Sequence, residues 1–151
     1  MTYFFDSSAL VKLYHTEPGS SWVAAVLRQA NLRILISRLT AVELYSALSI
    51  KVRTGKLGAR ESAALRTRFA NDVMVGTIAV IAVNEQDYGA AENLIIQHGD
   101  SRGLRTLDAL QLAVALSGQR RVGLDAMIVA DITLAEVART EGITVINPET
   151  E

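Results

Sequence analysis

Four acidic side chains, Asp6, Glu43, Asp108 and Asp131, carry most of the chemistry this sequence offers. Each stands where an apolar run or loop gives way to a helical pattern. Asp6 closes Tyr3-Phe4-Phe5, Asp131 closes Met127-Ile128-Val129-Ala130, and Glu43 and Asp108 fall in the first turns of two apolar helices. Gathered at one edge of a sheet, such carboxylates repel one another unless protons or a divalent cation lie between them. The set therefore points to a metal site built from oxygen ligands.

Each acid also has a plain structural role open to it. Asp6 and Asp131 can cap the helices that follow them, and Asp108 complements a helix dipole. Thr40-Ala41-Val42-Glu43 fits a capping box in which Glu43 reaches back to the backbone of Thr40. Two features favour the site. The segment Leu107–Leu116 is apolar nearly all round, as a buried helix is, yet it keeps Asp108 and Gln111 three residues apart on one face. Asp6 and Asp131 both end strand-like runs, which capping does not require.

The elements that must position these groups alternate along the chain. Strand-like runs cover Tyr3–Phe5, Ile34–Ile36, Ile78–Val83, Met127–Ala130 and Thr144–Ile146. Helical patterns cover Ala9–Tyr14, Ser21–Ala30, Ala41–Val52, Arg60–Val73, Glu85–Gln97, Leu107–Leu116 and Leu134–Thr140. Strands without polar alternation are covered on both faces, as in a parallel sheet. The pattern is that of one α/β domain spanning residues 1–151. In such sheets ligands bind outside the carboxyl ends of the strands. Asp125, before the Met127 run, is therefore expected at the opposite edge.

Half of the residues are hydrophobic, none is cysteine, and the net charge is −1. Disulfides, thiolate nucleophiles and zinc–sulfur sites are excluded, and strong non-specific nucleic-acid binding is disfavoured. No run is long enough to span a bilayer, so a soluble, cytoplasmic protein is expected. From Lys51 to Arg68 six bases (Lys51, Arg53, Lys56, Arg60, Arg66, Arg68) face Glu61 alone, a local balance of +5. A solvated helical face explains this; a rim that follows phosphates is the functional alternative. His15 and His98 make no metal-ligand spacing and are expected at the surface. The glycines form no phosphate-binding loop.

Several blocks together resemble the PIN-domain proteins of the VapC toxin type. They are Tyr3-Phe4-Phe5-Asp6-Ser7-Ser8-Ala9-Leu10-Val11-Lys12-Leu13-Tyr14, Thr40-Ala41-Val42-Glu43-Leu44, Leu104-Arg105-Thr106-Leu107-Asp108-Ala109-Leu110-Gln111, and Val129-Ala130-Asp131, with the tail Gly142–Pro148. The resemblance implies a three-layer α/β/α domain whose five-stranded parallel sheet is ordered 3-2-1-4-5. It implies an endoribonuclease that uses Mg2+ or Mn2+, a homodimer, and a cognate antitoxin as partner. Asp6, Glu43, Asp108 and Asp131 become the catalytic and metal-binding set. On this reading Asp6 and Asp108 are the principal ligands, and Glu43 and Asp131 bind a second ion or orient the water. Ser8 and Gln111 support them, and Arg105, Lys51 and Arg53 would hold RNA phosphates.

Two positions depart from the pattern: Val129, where a hydroxyl residue often stands, and Ile132, where a base often follows the last acid. They keep open a second reading, a PIN-like module that occupies RNA or a partner without cutting. A phosphoacceptor receiver domain is ruled out, because Asn84 stands where its acceptor aspartate would be.

Overall fold

The computed structural model describes residues 1–151. Five parallel strands, β1 (Thr2–Phe5), β2 (Arg33–Ser37), β3 (Ile78–Ile81), β4 (Ala126–Ile128) and β5 (Val145–Ile146), form one sheet ordered β3-β2-β1-β4-β5. The central strand pairs Phe4 with Leu35 on one side and with Met127 on the other. Successive side chains enter opposite faces. Phe5, Ile36 and Ile128 join one core with helices α1 (Ser7–Leu10), α2 (Ser20–Val26), α3 (Arg38–Arg53) and α4 (Ala59–Met74). Phe4, Leu35 and Met127 join a second core with α5 (Glu85–Arg102), α6 (Thr106–Val122) and α7 (Ile132–Thr140). Two covered faces make a three-layer α/β/α domain, and they explain why the strands read as unbroken apolar runs.

The strand order reverses between β1 and β4, so their carboxyl ends bound a crevice. Asp6, just past β1, is held there by a hydrogen bond from its N–H to the carbonyl of Ile128, the last residue of β4 (3.0 Å). Asp125 lies at the other edge, where its carboxylate accepts from Thr2 N at 2.6 Å.

Several element boundaries differ from the sequence reading; the fourth strand, for example, ends at Ile128 rather than Ala130, and α5 runs on to Arg102 rather than Gln97. The third strand stops at Ile81 rather than Val83, because its partner ends in the pair Ser37↔Ile81. The helix expected over Ser21–Ala30 stops at Val26, ahead of Asn31 in the left-handed region at φ 61°. The buried helix runs on from Leu116 to Val122, where Gly123 stops it. Helix α3 starts at Arg38, with Ser37 as its cap, three residues earlier than expected.

The C-terminal tail packs on the turn before α2. Lys12 is buried, and its ammonium lies 2.6 Å from Glu149 Oε1 and 3.7 Å from Glu17 Oε2. Lys51 also pairs with Glu17. Burial pushes the Glu17 carboxyl up, but Lys51 and Lys12 together bring it below its ordinary value. Gly19, at φ 86°, lies so close to the tail that a Cβ would sit 2.7 Å from Pro148 O. Gly19→Ala therefore combines left-handed strain with a backbone collision, and should cost about 1–3 kcal/mol. The urea midpoint should fall at unchanged slope. An unchanged midpoint would show that the tail gives way freely.

Candidate active site

The crevice is built from four junctions. Asp6 follows β1, is 3% exposed, and caps α1 by accepting from Ser8 N at 3.0 Å. Asp131 caps α7 by accepting from Leu134 N at 2.8 Å. Asp108 is buried in the first turn of α6. Glu43 lies in the second turn of α3, with Oε2 accepting from Gln111 Nε2 at 2.6 Å. Asp6 and Glu43 thus come from the first helical layer, Asp108 and Asp131 from the second.

Their electrostatics show that the four acids share one field. Burial pushes the Asp6 carboxyl above its ordinary value against the donors of Ser8 and Ser7, and Asp108 adds to the rise. Burial also raises Glu43, and Asp6 and Asp108 raise it further while Gln111 and Ser7 oppose. Asp108 is raised by burial and by Asp131, in spite of Arg105. Buried carboxylates without full compensation hold their protons, or recruit a cation, to lower this cost.

The supporting residues are more extensive than the sequence suggested. Ser8 donates to Asp6 from its backbone, and its hydroxyl oxygen also accepts from Ala130 N (2.9 Å), tying the first turn of α1 to the loop after β4. Gln111, wholly buried, accepts at Oε1 from the hydroxyls of Ser37 (2.6 Å) and Thr40 (2.9 Å). Its amide is thereby oriented to donate to Glu43. Ser37, not Thr40, caps α3, accepting from Thr40 N at 3.0 Å, so the expected Thr40–Glu43 capping box is absent. Glu43 is freed for the crevice. Ser7, Ser37 and Thr40 were not singled out from sequence as parts of the site. Ser37 and Thr40 are the hydroxyls that interrupt the apolar β2–α3 junction, and that was the available signal.

The bases occupy varied surroundings. Arg105, with a side chain 72% exposed, donates from Nε to Asp108 (2.9 Å) and from Nη2 to Asp131 (3.3 Å). Lys51 is already paired with Glu17, and Arg53 is exposed beside it in the last turn of α3. Arg66 donates to Ser49, and Arg68 lies 5.3 Å from the centre of the Tyr14 ring. Much of the basic run is thus a solvated face with local partners. His98, expected at the surface, is buried, with Nε2 2.7 Å from Glu141 Oε1 between α5 and α7. Val129 is buried in the second core, and Ile132 is 70% exposed at the start of α7.

The PIN domain family matches residues 3–140, which contain all four acids. The chain belongs to that family. Solved structures share the fold of this PIN domain at low identity. VapC20 of Mycobacterium tuberculosis, a sarcin–ricin loop cleaving toxin, is 18% identical with TM-score 0.68, covering 97% of this chain and 99% of its own. VapBC2 of Rickettsia felis, bound to a DNA fragment from its promoter, is 17% identical with TM-score 0.65, at 97% and 98% coverage. VapBC-1 of nontypeable Haemophilus influenzae is 17% identical with TM-score 0.62, over the full length of both chains. No curated protein matches by sequence.

PIN-domain nucleases generally use divalent metals, and the donor set here suits a hard cation: oxygen only, and mutually repulsive. As the side chains stand, no three are close enough together to hold an ion. Gln111 holds one acid, and Arg105 spans two others. The residues fit a divalent cation in kind, with a guanidinium supplying positive charge to part of the cluster.

Proposed function

We propose that this PIN domain is a divalent-metal-dependent endoribonuclease, the toxin component of a toxin–antitoxin pair. One observation carries the reading: four carboxylates from four elements line the crevice at the reversal of the sheet, and three are pushed up by burial and by neighbouring acids. A magnesium or manganese ion held by Asp6 and Asp108 would supply Lewis acidity and a more acidic water.

The chain's own groups do the rest. Gln111 fixes Glu43 Oε2, leaving its other oxygen to orient water or complete the ligand set. Asp131, fixed as the cap of α7, holds the opposite wall. Ser8 fixes the spacing of the two walls through Ala130. Arg105 is exposed enough to take a flanking RNA phosphate. Arg53 offers a more distant contact, while Lys51 would have to leave Glu17 to do so.

The implied protein partners, an antitoxin and a second copy of the chain, have apolar surface available. Leu39, Val42, Val83, Tyr88 and Leu110 line a trough of about 330 Å3, flanked by a second through Tyr88 and Leu110. No helix is long and apolar enough to cross a membrane.

Cleavage of mixed RNA should stop in EDTA and return with millimolar magnesium or manganese. Activity that persists in chelator would sink the metal mechanism. A non-cleaving module remains the second reading, favoured by the spread of the acids. RNA binding without cleavage under all metal conditions would establish it.

A further inference from the structure

We propose that Arg105 is a built-in counterion that a divalent cation must displace before the acidic crevice becomes competent. The inference rests on the metal-dependent reading above. Arg105 is the residue that caps α6, yet its side chain makes no capping hydrogen bond. A cation at a helix N-terminus opposes the helix dipole, so the backbone does not favour the guanidinium there. What holds it are two single contacts to separate carboxylates, Nε to Asp108 at 2.9 Å and Nη2 to Asp131 at 3.3 Å.

Those two acids come from different helices, α6 and α7. Burial disfavours the charge of Asp108, Asp131 adds to this, and Arg105 opposes both. The guanidinium therefore does part of the work a metal ion would do, from one side of the crevice. It does so reversibly. With its side chain 72% exposed, Arg105 can leave into water without exposing apolar surface or desolvating its charge. Asp6 and Glu43 have no such cationic partner; their donors are neutral groups of Ser7, Ser8 and Gln111. A cation that draws Asp108 and Asp131 toward Asp6 takes both acceptors from Arg105 and releases it toward solvent, where an RNA phosphate would lie.

Calorimetric titration of manganese into RNA-free protein tests this, with melting temperature as a second readout. Ion pairs made by an exposed guanidinium are weak, so Arg105→Ala should tighten the manganese dissociation constant by about two- to thirty-fold. Arg105→Lys, with one point charge unable to span both acids, should fall between. In EDTA the alanine variant should melt below wild type, and at saturating manganese that gap should close or reverse. Equal or weaker manganese binding by Arg105→Ala would overturn the proposal, since Arg105 would then be neutral toward the cation or a positioner of its ligands. If neither protein bound manganese, the metal-dependent reading would itself fall, and the proposal with it.

Discussion

Replacing Asp6 by asparagine should cripple RNA cleavage while making the metal-free protein more stable. Asparagine caps a helix about as well as aspartate, so the contact from Ser8 N at 3.0 Å survives and the fold is kept. What disappears is a charge that burial and Asp108 both oppose. Because the folded state raises this carboxyl above its ordinary value, it holds a proton that the unfolded chain gives up. Stability therefore falls as pH rises from the ordinary aspartate range toward the folded value. The asparagine variant should lack that share of the fall, melting higher than wild type at pH 8 in EDTA and closer to it at acid pH. Cleavage should drop about 100- to 10,000-fold, as loss of several kcal/mol of metal-derived stabilisation demands. Wild-type turnover by this variant would remove Asp6 from the catalytic set, and a melting temperature lowered at pH 8 would contradict the electrostatic account.

Gln111→Leu should damage stability and activity together. The side chain is wholly buried and serves three groups: the hydroxyls of Ser37 and Thr40 and the carboxylate of Glu43. Leucine fills similar space, so the cost comes from lost partners rather than a void. Ser37 and Thr40 still have each other at 3.0 Å, which softens their loss. Glu43 loses the donor that orients it. With orphaned buried groups costing about 1–3 kcal/mol each, a total of about 2–4 kcal/mol is expected from urea unfolding. Cleavage should fall about 100-fold, the scale of a misplaced catalytic group. A variant that loses stability but retains full cleavage would show that Gln111 supports the fold alone.

Much of this was legible before the structure, for physical reasons that differ by feature. Asp6, Glu43, Asp108 and Asp131 stood out because an acid at the end of an apolar run is locally anomalous. The parallel sheet was legible because strands buried on both faces lose their alternation, as Phe4 and Phe5 do by entering different cores. Strand order came only with the family resemblance, since nothing near β1 records that β4, over a hundred residues later, lies beside it. The same distance hid the second roles of polar residues. Ser37 reads as a lone serine until Gln111 arrives from another helix, and Lys51 reads as a free base until Glu17 is folded against it. His98 reads as a surface residue until its partner Glu141, at the end of α7, is folded against it. Arg105 reads from sequence only as a candidate phosphate contact, since it takes tertiary structure to bring Asp131 within 3.3 Å of it.

The hydrogen bond from Ala130 N to Ser8 Oγ has a consequence in time as well as in space. Asp6 is made well before β4, and its strand lacks one neighbour until β4 has followed it. At about 5–20 residues per second, that leaves a nascent chain for many seconds with Asp6 present and the opposite wall not yet synthesised. Helix α3 with Glu43 can settle on β1 and β2 early, whereas Asp108, Asp131 and the serine latch come last. Assembly order thus separates synthesis from competence: however early Asp6 and Glu43 are in place, the crevice stays open on one side until the segment carrying Asp108 and Asp131 has been made and has folded against them.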